Sequence, residues 1–143
     1  MKKMLLVLIG LAPLLIGFIL DAIVTHGGMA SPVVGWVCVL AFPVLWFWVG
    51  FACGELVENK LQAAVLTHLA AGAFAVLGIG QTVLASEYLA STYGALPQLF
   101  YLPLSVFAGI FALDGWWIYL IGLIVMPIIF YRGVWYKYTR KAR

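Results

Sequence analysis

Long apolar runs separated by short polar breaks organise this chain. About 20 mostly apolar residues are enough for a helix to cross the hydrocarbon core of a bilayer. Four runs meet that length, over about 4–24, 33–52, 62–86 and 112–131. The pattern predicts an all-α integral membrane protein with four transmembrane helices, a single domain over residues 1–143. The stretch around Thr25 to Pro32 forms the first external loop. The polar break from Cys53 to Lys60 turns the second and third helices into an antiparallel hairpin. Pro13, Pro43 and Pro127 lie inside the runs. Each removes a backbone hydrogen bond and predicts a kink, which a membrane helix tolerates when its neighbours satisfy the freed carbonyls.

The segment before the fourth run behaves differently. It opens with Ser91, Thr92, Gly94, Pro97 and Gln98, then turns apolar over 99–113, with Pro103 and Gly109 as interruptions. A helix of that length reaches only about 22 Å, against a hydrocarbon core of about 30 Å. A re-entrant or interfacial segment is therefore expected there. The frame leaves Asp114 at the outer edge, or mid-membrane if the fourth helix begins near Leu104.

Charge fixes the orientation. The eight lysines and arginines are Lys2 and Lys3 before the first run, Lys60 in the hairpin break, and Arg132, Lys137, Arg140, Lys141 and Arg143 after the last. With four spans they all fall on one side. Positive residues flanking membrane helices are retained in the cytoplasm, so both termini are expected there. A fifth span would place the C-terminal cluster outside. The compact chain and its Met-Lys-Lys start suggest a bacterial inner (plasma) membrane.

Composition changes the picture in one respect. Residues are 66% apolar and only 9% charged, with a mean hydropathy of +1.12. A soluble domain carries about 25% charged residues, so a water-soluble fold is excluded. No basic stripe lies on a soluble face, and no nucleic-acid partner is expected. The first run is too long for the apolar core of a signal peptide and reads as a retained helix. Cys38 and Cys53 lie too far apart along one helix for a disulfide.

Candidate chemistry is sparse. Ala64, His68, Ala71, Ala75, Gly78, Thr82 and Ala85 recur at steps of three and four, so they share a helix face. Small residues at that spacing admit a close neighbour. Gly50-x-x-x-Gly54 is a related motif, and Gly10 and Gly17 stand a heptad apart. Such faces serve packing within the bundle or an interface with another subunit. A polar residue inside a span, such as His68, is a functional candidate by default. Bis-histidine haem ligation needs a second histidine at similar depth, and His26 lies near the opposite surface. The expectation is an interhelical hydrogen bond through His68 and Thr67, with no cofactor and no metal.

Among the acids, Asp21, Glu87 and Asp114 fall at outer helix ends, with Asp21 on the face of Gly10 and Gly17. Converging carboxylates there would bind a cation or relay protons. Glu55 and Glu58 are expected to be solvated in the hairpin break. Trp46, Phe47, Trp48 and Phe51 are expected at headgroup depth. Arg132, Lys137, Arg140, Lys141 and Arg143, interleaved with aromatics, suit an anionic leaflet at about 1 kcal/mol per well-placed basic residue. No Walker, HExxH or GxSxG motif is present. The expected function is that of a small non-enzymatic membrane subunit, an accessory, assembly or regulatory component. Its expected partners are the lipid bilayer and another membrane protein or itself. The alternative is a small oligomeric transporter or channel for a cation, a proton-coupled solute or a small molecule.

Overall fold

The computed structural model describes residues 2–26, 32–56, 59–83, 94–104 and 116–141. Among them all regular structure is helical. Glu58, Glu87, Asp114, Arg143 and residues 105–113 lie outside the described residues. The helices are α1 (Lys2–Ile9), α2 (Ala12–His26), α3 (Pro32–Cys53), α4 (Lys60–Thr67) and α5 (Leu69–Val83). They are followed by α6 (Ala95–Tyr101), a 3₁₀ turn at Leu102–Leu104, and α7 (Trp117–Lys141). Two stretches, Lys2–Ile23 and Trp117–Arg140, are long and apolar enough to cross a membrane. A third forms if α4 and α5, bent by 41° at their junction, are taken as one span. α3 contains the shorter apolar helix Leu40–Cys53.

The first run breaks at Gly10–Leu11, just before Pro13. Leu11 N–H donates to the Leu8 carbonyl and Leu14 N–H to the Leu11 carbonyl, each at 3.0 Å, which tightens the chain to three-residue steps. Pro13 then sits in the first turn of α2, where its missing N–H would have had no helical partner. Pro43 and Pro127, by contrast, lie inside continuous helices.

The third run was expected to be one helix, and its bend has no proline to explain it. The cause is His68, whose backbone leaves helical geometry at φ −103°, ψ 10°. Its ring Nδ1 donates to the Ala64 carbonyl at 2.7 Å. The same carbonyl takes the His68 backbone N–H at 3.2 Å, while that N–H also reaches the Val65 carbonyl at 3.1 Å. A side chain inserted into the hydrogen-bond ladder is a recognised origin of a helix bend.

The fourth helix also departs from expectation. Residues 132–141 continue α7 and do not form a separate tail. Packing explains the continuation. Val134 is fully buried, and Gly133 lies so close to α3 that an added Cβ would overlap the Phe47 carbonyl oxygen. Gly50 makes the reciprocal approach to the Phe130 carbonyl. Glycine at the crossing lets two helix backbones touch, and α3 against α7 is the largest helix pairing in the bundle.

α6 and the 3₁₀ turn pack against α2, α3 and α5. Phe100, Tyr101, Pro103 and Leu104 are buried. Gly17 admits the Leu99 backbone and Gly122 admits the Tyr101 ring. This short piece is enclosed by the long helices.

Candidate functional site

The interior is built in aromatic layers around the bend. At its centre lies His68, 6% exposed, beside Trp46 at 1% and Phe130 at 0%. Trp46 Nε1–H donates to His68 Nε2 at 3.0 Å. An indole nitrogen can only donate, so Nε2 accepts and the imidazole proton sits on Nδ1. That proton goes to the Ala64 carbonyl. Both ring nitrogens are therefore engaged in a neutral imidazole. Phe42 stacks on Trp46 at 5.8 Å, and Phe130 meets the His68 ring edge-on at 5.4 Å. The expected interhelical hydrogen bond of His68 exists. Thr67 does not share in it: its Oγ1 is buried with no hydrogen-bond partner among the described residues, and its carbonyl lies against Gly10. Trp46, grouped in the sequence with the interfacial aromatics, is buried inside the bundle, where its indole N–H bonds to the histidine at the bend.

A second layer lies further along α5. Tyr101 donates its hydroxyl to the Ala71 carbonyl at 2.8 Å. Its ring packs on Phe100 at 5.0 Å and on Tyr119 at 5.3 Å. Tyr119 in turn covers Gly78, where an added Cβ would stand 2.5 Å from Tyr119 Cζ.

The small-residue face of the third run is thus occupied within the chain. Ala64, Ala71, Ala75 and Gly78 are buried with His68. Thr82 departs from that set: it is exposed, and its hydroxyl donates back to the Gly78 carbonyl at 2.7 Å. Gly50 and Gly54 face α7; a Cβ added at Gly54 would stand 3.0 Å from the Lys137 side-chain stem.

The basic residues gather at one end of the bundle. Lys137 Nζ pairs with Glu55 at 2.9 Å and lies 4.4 Å from the Phe51 ring centroid. Glu55 is therefore ion-paired, where free solvation was expected. A half-exposed pair of this kind is worth about 0–1 kcal/mol. Lys137, expected at the lipid headgroups, turns inward, its side chain 21% exposed. Lys60 stands 4.6 Å from the Tyr138 ring centroid. Lys2 and Lys3 border a cavity shared with Glu55. Arg132 and Arg140 are exposed. The Lys141 side chain lies outside the described residues.

Asp21, expected to face the bundle, is exposed on α2. Sequence reasoning grouped Trp46 with the interfacial aromatics and passed over Tyr101, Gly122 and Gly133. A tryptophan and a histidine in adjacent runs were the available signal for Trp46. The contact between Tyr101 and Gly122 depends on how α6 folds inward, which periodicity does not encode.

The fold is that of an all-helical protein with two to three helices able to span a membrane. Comparison with protein family models, with curated proteins and with solved structures found no match.

Proposed function

We propose that this chain is a small non-enzymatic membrane subunit that binds another membrane protein through the outer face of α5. In this reading it crosses the plasma membrane of a bacterium four times, with α1–α2, α3, α4–α5 and α7 as the spans. Its basic end faces the cytoplasm, and α6 re-enters from the outer side. Irregular backbone at membrane depth is tolerated only where protein buries it or water lines it, and the aromatic layers supply that burial.

One observation carries the binding role. Gly72 and Gly80 lie on one face of α5 with nothing within 4 Å of an added Cβ. Leu69, Val76 and Val83, on the same face, are all exposed. Glycine inside a helix costs roughly 0.5–1 kcal/mol relative to alanine. At Gly50 and Gly78 a close intramolecular contact accounts for that cost, but at Gly72 and Gly80 no contact among the described residues does. A shallow track of this kind admits the backbone of another helix. The polar groups His68 and Tyr101, which could otherwise have served transport, are engaged in internal hydrogen bonds.

The test is affinity purification from native membranes, with mass spectrometry of what accompanies the chain. Wild type should bring down a different membrane protein. Gly72→Leu and Gly80→Leu should lose it while melting no lower than wild type, because an added Cβ there meets no neighbour among the described residues. Recovery of copies of this chain alone would favour the transport alternative. Retention of the partner by both variants would rule out the α5 face.

A further inference from the structure

The basic end of the bundle contains an open cavity of about 270 Å³. Lys2, Lys3, Glu55 and Gln62 are its exposed residues, and Leu6, Leu56 and Leu66 lie deeper. Leu6 is 1% exposed. The site therefore has a polar, cationic rim over an apolar floor.

The charge balance at the rim selects the ligand. Lys2 and Lys3 contribute two ammonium groups and Gln62 an amide donor. Among the described residues of the lining the one carboxylate is Glu55, and it is compensated by Lys137 at 2.9 Å. An anion thus meets a net positive rim, and a cation does not. The leucines below would solvate an apolar group attached to that anion. The cavity also opens where the apolar stretch Lys2–Ile23 begins, and its Glu55 pairs with Lys137, whose ammonium lies over the Phe51 ring. In a chain that spans a membrane, that level is the headgroup layer.

We propose that this cavity binds a phosphate ester anion, held by Lys2, Lys3 and Gln62, with the headgroup of an anionic phospholipid as its source. The inference rests on the membrane-spanning reading above and is independent of the α5 partner. It differs from diffuse attraction to an anionic leaflet, because it requires these side chains and their leucine floor.

The test uses the full-length chain in detergent, where orientation in a membrane no longer matters. Binding of dioleoyl phosphatidylglycerol, dioleoyl phosphatidylcholine and glycerol 3-phosphate is measured by native mass spectrometry and by thermal shift. Phosphatidylglycerol should be retained in preference to phosphatidylcholine. The double substitution Lys2→Gln/Lys3→Gln should weaken it about 30-fold, equivalent to about 1 kcal/mol per lysine. Gln62→Leu leaves the charge unchanged and should weaken it several-fold. Glu55→Gln should act in the opposite direction, since it removes a negative charge from the rim. If glycerol 3-phosphate binds as tightly as the lipid and with the same dependence on both lysines, the phosphate site stands and its source is soluble. Equal retention of the two lipids, or a loss under twofold in the double variant, would overturn the proposal. Unchanged melting of Gln62→Leu separates loss of binding from loss of fold.

Discussion

Three glycines on α5 permit one substitution to be compared in two environments. At Gly78 an added Cβ would stand 2.5, 2.6 and 2.7 Å from three atoms of the Tyr119 ring. To reach 3.4 Å, the ring would have to withdraw by about 0.9 Å from the nearest of these positions (3.4 less 2.5). It has little room, since Tyr119 is 6% exposed and Tyr101 packs against it at 5.3 Å. Overpacking of this kind costs about 1–3 kcal/mol. Replacing glycine by alanine in a helix returns roughly 0.5–1 kcal/mol. Gly78→Ala should therefore destabilise by a net of about 0–2.5 kcal/mol. At Gly72 and Gly80, with nothing within 4 Å, only the favourable part remains, and alanine should stabilise by up to about 1 kcal/mol. Reversible unfolding in mixed micelles, followed by tryptophan fluorescence, measures each difference against wild type. A Gly78→Ala protein more stable than wild type, or the same change at all three positions, would refute the packing argument.

Trp46→Phe strands His68 Nε2 as a buried acceptor and should cost about 1–3 kcal/mol. In a double-mutant cycle with His68→Leu, the two losses should fall short of additivity by about 1 kcal/mol; additive losses would mean the 3.0 Å bond contributes nothing. Tyr101→Phe should cost under about 1 kcal/mol, since hydrogen bonds between membrane helices average about 0.6 kcal/mol. A loss above 2 kcal/mol in the same unfolding assay would mean the Ala71 contact does more than join α6 to α5. Asp21→Asn should leave both the melting temperature and partner recovery unchanged, because Asp21 is exposed on α2; loss of function there would revive the cation-handling alternative.

The apolar runs and the charge asymmetry made the helices and the basic end legible in the sequence. Both are properties of consecutive residues. The small-residue face of the third run was legible too, down to Gly78, because a period of three and four survives any choice of neighbour. Its occupant was not legible. Tyr119 and Tyr101 reach that face through a tertiary arrangement, and local sequence gives no sign of it. The bend at His68 was hidden for a related reason. A histidine in an apolar run keeps the helical period, and only its ring geometry reveals that Nδ1 has entered the backbone ladder. Gly133 escaped notice because it follows Arg132, where hydropathy alone ends the span; packing against Phe47 carries the helix onward. Conversely, Trp46 read as an interfacial aromatic because three more aromatics cluster near it, and its burial depends on which face of α3 meets α7.

The proposed lipid cavity and the proposed partner face of α5 both belong to a reading in which the basic end of the bundle lies in the cytoplasm. Single cysteines placed at Ser31, Val57 and Thr92, in a chain with Cys38 and Cys53 replaced by alanine, test this directly with a membrane-impermeant thiol reagent on intact cells. Labelling at Ser31 and Thr92, with Val57 reached only after permeabilisation, is the predicted result. Labelling of Val57 in intact cells without labelling of Ser31 would contradict it.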